Sequence, residues 1–151
     1  MSDSRKPRLV GINHVAIEVD DIDAALAWYG QIFEFTLRGK GERNAFIDMG
    51  DQFINLTKVP DYRQEGVERR HIGFVVDDRT TVKARAEAAG ARMVEGPFLD
   101  FLDPWGNRIE VVEYSNIQFT KAPQVLRGMG LALDKNVSAK KELADKGMAA
   151  E

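Results

Sequence analysis

The chain has no cysteine and only 2 histidines among its 151 residues. The missing thiols exclude disulfides, thiolate nucleophiles and zinc–thiolate centres together. Any metal site must therefore be built from nitrogen and oxygen ligands. Long apolar runs are missing too. The start, MSDSRKPR, is polar, and nothing behind it is long enough for a signal peptide or a membrane span, so the expected location is the cytoplasm, with no membrane partner. Nor is there an excess of basic charge. With 21 Lys+Arg against 24 Asp+Glu the net charge is -3, and the basic residues are scattered, so nucleic acid is not an expected partner. A hydrophobic content of 44% is enough to build the core of one ordinary domain.

Against this background, two stretches are nearly copies of each other: HVAIEVDD from His14 to Asp21, and HIGFVVDD from His71 to Asp78. Both histidines occupy the same place in the repeat. In the first copy Val15, Ile17 and Val19 alternate with His14, Ala16 and Glu18, the period of a half-buried strand. In the second, Ile72, Phe74 and Val76 form one face, and His71, Gly73 and Val75 the other. Each double aspartate offers an N-cap to a following helix. The first helix carries Ile22, Ala25, Leu26 and Tyr29 at helical spacing; the second carries Val82, Ala86 and Ala89 and ends at Gly90.

Three short alternating runs follow each helix. They are FEFTLRG, NAFIDMG and QFINLTKV after the first, and ARMVEG, PFLDFLD and RIEVVEY after the second, where DPWGN supplies a hairpin turn. The pattern is βαβββ twice, an α+β arrangement with a first module at 9–58, a polar linker at 59–70, a second module at 71–114 and an extension at 115–151. In the extension, NVSAKKELADKGMAA reads as a helix with Asn136 or Ser138 near its start, Leu143 inward and Gly147 at its end. The plain reading of this extension is a surface helix or a frayed tail; the sharper one is an arm that covers a cleft or packs on a second subunit.

The stretches INHVAIEVDDIDAALAWY, HIGFVVDD and FLDPWGNRIEVVEY resemble the vicinal oxygen chelate superfamily, which includes glyoxalase I, fosfomycin and bleomycin resistance proteins and extradiol dioxygenases. The resemblance covers about residues 9–114. It implies two tandem βαβββ modules forming a curved mixed sheet around a metal cavity, and a homodimer in which modules are sometimes exchanged between chains. The family's metal positions fall on His14, His71 and Glu110, a set suited to a divalent ion such as Fe(II), Mn(II), Ni(II) or Zn(II) that leaves positions open for a small-molecule substrate. The competing reading makes both histidines hydrogen-bonded strand residues and pairs Glu110 with a base such as Arg108.

At the family's fourth ligand position this chain has Asn55. An amide cannot move a proton between carbons, so glyoxalase-type isomerisation is disfavoured and dioxygenase-like chemistry preferred. Dioxygenases of this type also use further histidines, and this chain has none to spare. Tyr114, Tyr62 or Tyr29 would have to substitute, with Tyr114 the weak catalytic candidate. The acidic, apolar run EGPFLDFLD argues against a phosphonate substrate. The alternative of a different class is a metal-free binding protein of the bleomycin-resistance type, holding a flat ligand among Phe33, Phe35, Phe46, Phe53, Phe98 and Phe101.

Overall fold

The computed structural model describes residues 14–50, 52–60, 62 and 71–149. Residues 63–70 of the expected linker and 9–13 of the expected first module lie outside the described residues. The first module consists of β1 (His14–Val19), α1 (Ile22–Tyr29), β2 (Leu37–Lys40), β3 (Asn44–Asp48) and β4 (Phe53–Lys58). The second repeats the order with β5 (Ile72–Val76), α2 (Arg79–Ala88), β6 (Arg92–Val94), β7 (Leu99–Leu102) and β8 (Arg108–Glu113). The repeat seen in sequence is therefore a repeat of βαβββ units.

In both helices the second aspartate of the doublet is the cap. Asp21 accepts from the Ala24 amide at 2.7 Å, and Asp78 from the Thr81 amide at 3.0 Å, each satisfying a first-turn N–H that the helix cannot. After the caps, Ile22, Ala25, Trp28 and Tyr29 of α1 and Val82 and Ala86 of α2 turn inward. The expected strand FEFTLRG is shorter than its alternation suggests and begins only at Leu37. Tertiary packing takes the preceding residues, because the Phe33 ring lies 6.4 Å from Tyr29 and 5.8 Å from Phe74 across the module boundary.

Each module makes its own four-stranded mixed sheet, in the orders β1-β4-β3-β2 and β5-β8-β7-β6. The first strand of each unit pairs in parallel with the last, and the others pair antiparallel. The single curved sheet that the family resemblance implies is thus present as two sheets in one chain. They share one hydrophobic core. Trp28 lies at its centre, edge-on to Tyr29 and Trp105 and 6.2 Å from Phe101, while its indole N–H donates to the Ala89 carbonyl at 3.2 Å. Burying large side chains such as Phe101 and Tyr29 stabilises the chain by roughly 1.5–3 kcal/mol each.

The DPWGN turn locks the modules together. Gly106 takes the positive φ of 83° that the turn needs. Asp103, only 3% exposed, accepts from the Tyr29 hydroxyl at 2.6 Å, the Trp105 and Asn107 amides at 2.9 and 2.8 Å, and the Asn107 side chain at 2.7 Å. Trp105 in turn donates its indole N–H to Asp20. Burial pushes the Asp103 carboxyl above its ordinary value of 3.8, against the downward pull of the Tyr29, Asn107 and Trp105 hydrogen bonds. The folded chain therefore holds this proton more tightly than the unfolded one. Its contribution to stability is fully present below the unfolded pKa and is lost as the pH rises through the higher folded value. Urea melts between pH 3 and 7 should show Asp103→Asn gaining stability relative to the unmodified chain as the pH rises. A pH-independent difference would contradict this assignment.

Past the second module, a one-turn 310 helix (Tyr114–Asn116) leads to α3 (Pro123–Gly128) and α4 (Val137–Asp145). Asn136 caps α4 through the Ala139 amide at 2.8 Å, Ala139 and Leu143 are buried, and Gly147 follows with φ 72°. Lys135 anchors the segment beneath it, donating to the Tyr114 carbonyl at 2.6 Å and to the Phe119 carbonyl. Burial lowers this lysine to about 8. α3 packs on the first module at Gly50, where a Cβ would come within 2.8 Å of Met129 Sδ and 3.2 Å of Val125 Cγ1. The extension thus straps the second module back onto the β3–β4 turn of the first.

Candidate metal centre

Strand alternation decides which side chains can meet. In β1, Ile17 and Val19 enter the core while His14, Ala16 and Glu18 are exposed on the opposite face. In β8, Ile109 and Val111 are fully buried while Arg108, Glu110 and Val112 occupy the other side. The ladders then fix the repeat correspondence: Ala16 pairs with Asn55, and Gly73 pairs with Glu110. Asn55 is accordingly the first module's equivalent of Glu110. Its side-chain oxygen accepts from the Asn44 amide group at 3.1 Å, so the position carries a held, neutral group.

His71 and Glu110 come together, with Nε2 and Oε2 3.6 Å apart. That is too long for a hydrogen bond, but close to the ~3–3.5 Å that separates two ligands on one ion with bonds near 2.1 Å. Arg108, the base named as an example in the competing reading, does not pair with Glu110. Its guanidinium grips Asp100 Oδ2 instead, through Nε at 2.9 Å and a second nitrogen. The imidazole and the carboxylate are two donors of the kind a divalent ion takes, and both side chains are partly exposed.

His14 lies on the first sheet, its ring stacked on Phe53 at 4.7 Å with 9° between planes; Phe53 is also edge-on to Phe46 and carries Arg38 above it at 4.9 Å. Among the described residues no three ligand-type side chains converge within one chain. The reason is architectural. Each sheet turns its hydrophobic face to the shared core, so the two histidine-bearing faces look outward. Two surface hollows, of about 440 and 240 Å³, lie beside Asp21 and Lys40 and beside Arg92 and Pro104, and neither includes a candidate ligand.

Tyr114 does not extend the Glu110 face. The strand stops at Glu113, and the tyrosine turns into the 310 helix, where it is buried, exchanges a hydrogen bond with Thr120 at 3.0 Å and lies beneath the Lys135 ammonium. It is a packing residue here. Tyr29 is likewise committed to Asp103. Of the six phenylalanines considered for a ligand cleft, Phe101 is core, Phe33 and Phe35 pack against it, and Phe98 is exposed; only Phe46 and Phe53 share the His14 face. Sequence reading passed over Asp100, which is 4% exposed and register-paired with Glu110. Its place in a β7 face of the same parity as Glu110 was the available signal.

Known proteins agree with this architecture. Among curated sequences, the chain is 27% identical over 114 residues to "Metallothiol transferase FosB" of Shouchella clausii, covering 67% of this chain and 78% of that one. It is 25% identical over 114 residues to "Glutathione transferase FosA" of Serratia marcescens, covering 68% and 80%. Among solved structures, the lactoylglutathione lyase of Agrobacterium tumefaciens superposes with a TM-score of 0.54 at 28% identity, covering 72% of this chain and 96% of that one. The fosfomycin resistance protein FosX of Listeria monocytogenes, solved with Mn(II), shares the fold with a TM-score of 0.58 at 20% identity, covering 69% and 92%. A family model matches residues 11–111. With two βαβββ modules, outward-facing histidines and that match, the chain belongs to the Glyoxalase/Bleomycin resistance protein/Dioxygenase superfamily.

Proposed function

We propose that the protein is a divalent-metal enzyme acting on a small substrate that chelates the metal through adjacent oxygens, with each site completed by two copies of the chain. The carrying observation is the 3.6 Å approach of His71 to Glu110 on one outward face while His14 is displayed on another. In this reading His71 and Glu110 of one copy and His14 of a second hold the ion, and stacking on Phe53 fixes the plane of the His14 ring. A bound first-row ion would supply Lewis-acid activation of the chelated substrate and, were it iron, reactivity toward dioxygen. Asn55 gives no carboxylate for proton shuttling between carbons, so oxidative chemistry ranks ahead of isomerisation. A second reading, transfer of a thiol to an electrophilic substrate, is favoured by the similarity to a metallothiol transferase and a glutathione transferase.

Mixing two inactive variants tests the shared site. His14→Ala and Glu110→Ala each remove one ligand, and each homodimer should bind no metal. Unfolded together and refolded, the mixed dimer regains one intact site, with His14 from the Glu110→Ala chain and His71 and Glu110 from the His14→Ala chain. Elemental analysis should find about one ion per mixed dimer. No recovered metal in verified mixed dimers would reject a site shared between chains. Equal binding of flat aromatic compounds by metal-free and metal-loaded protein would favour simple sequestration.

A further inference from the structure

The hold on His14 begins two strands away, on the edge strand β2. The β2–β3 ladder pairs Leu37 with Ile47 and Gly39 with Phe46, so Arg38 is an extra residue, a β-bulge. Bulges re-aim side chains. By strict alternation Arg38 would share the side of Lys40, which pairs with Asp23 of α1. Instead Gly39 and Arg38 both address the outward face. A Cβ on Gly39 would stand 3.6 Å from Phe46 Cδ2, and the Arg38 guanidinium lies 4.9 Å from the centre of the Phe53 ring. Phe53 is the register partner of His14 on β4, and the two rings stack. In the strand order β1-β4-β3-β2, His14 and Arg38 approach Phe53 from opposite sides. Phe46 meets the same ring edge-on at 5.7 Å.

We propose that Arg38 is a positioning residue for the metal centre: it clamps Phe53, and Phe53 in turn holds the His14 imidazole in one orientation before an ion arrives. The inference rests on the metal reading above and adds to it a residue that never touches the ion. A half-buried phenylalanine on an open sheet face can exchange rotamers, and an imidazole stacked on it loses its support when it does. Ordering a ligand in advance removes that entropic cost from the binding step. A guanidinium over an exposed ring contributes enough for about a two- to fivefold effect. Direct electrostatics gives the opposite sign, because deleting a positive charge near a divalent cation should tighten its binding.

Arg38→Met keeps a long side chain over the ring and removes the charge. Calorimetry with Mn(II), on variants checked for folding by circular dichroism, should show binding about threefold weaker than in the unmodified protein. Arg38→Lys retains a cation and should restore most of the loss. Phe53→Leu should weaken binding about tenfold. Adding Arg38→Met to Phe53→Leu should change nothing more, because the ring through which Arg38 acts is gone. A second readout needs no ion. With only 2 His in the chain, the His14 ring protons of metal-free protein are assigned by NMR against His14→Ala. Shielded by the Phe53 ring, they should move downfield in Phe53→Leu and part of the way in Arg38→Met. Tighter or equal Mn(II) binding by Arg38→Met, the same loss with and without Phe53, or unmoved His14 signals in Arg38→Met would each overturn the inference alone. An unmodified protein that takes up neither Mn(II) nor Zn(II) would overturn the metal reading and this inference with it.

Discussion

Replacing Glu110 with alanine is expected to weaken binding of a divalent ion by more than about a hundredfold, while changing folding stability by no more than about 1 kcal/mol. The two halves of this expectation come from opposite faces of β8. Ile109 and Val111 are fully buried and supply the strand's packing, whereas the Glu110 side chain is partly exposed and contributes nothing to that core. Substitutions that leave the core untouched cost little. A directly bound ligand, in contrast, carries more than the 10–100-fold typical of groups that merely orient ligands. Metal analysis beside a thermal melt measures both quantities. Stoichiometric metal in a folded Glu110→Ala protein would remove the residue from the site.

Asp103→Ala should be the most damaging polar substitution, costing about 3–5 kcal/mol. One carboxylate accepts four hydrogen bonds at 2.6–2.9 Å, from Tyr29, Trp105 and Asn107, and it does so where α1 of the first module meets the β7–β8 turn of the second. Truncation strands those donors beside a buried side chain and leaves a hole in the turn at Trp105. For a chain of this size the melting temperature should fall by on the order of 10 °C. Tyr29→Phe makes the contrast, since it removes one donor and leaves the carboxylate served by the others, at about 1 kcal/mol. Comparable losses in the two variants would mean that the ring packing of Tyr29, and not the Asp103 network, joins the modules.

Much of the protein was legible in its sequence because the relevant signals are local. Alternation in HVAIEV and HIGFVV specifies which face carries each histidine, and the aspartate before each helix marks its start through a hydrogen bond spanning three residues. The repeat aligned Asn55 with Glu110, and the ladders pair them equivalently. Local patterns also located the C-terminal helix, from its Asn136 cap to Gly147.

Partner choice across elements was not legible, because it depends on geometry that no spacing encodes. Arg108 is two residues from Glu110 in sequence, yet bonds Asp100, diagonally across the β7–β8 ladder; both carboxylates stand roughly 7 Å away along or across the strands, so spacing encodes no preference between them. Tyr114 had the right parity for the site, but the strand ended one residue before it. The separation of His14 from His71 is likewise tertiary. The sequence determined that each module presents one histidine on a polar face; only the packing of both hydrophobic faces around Trp28 decided that those polar faces turn outward, away from each other.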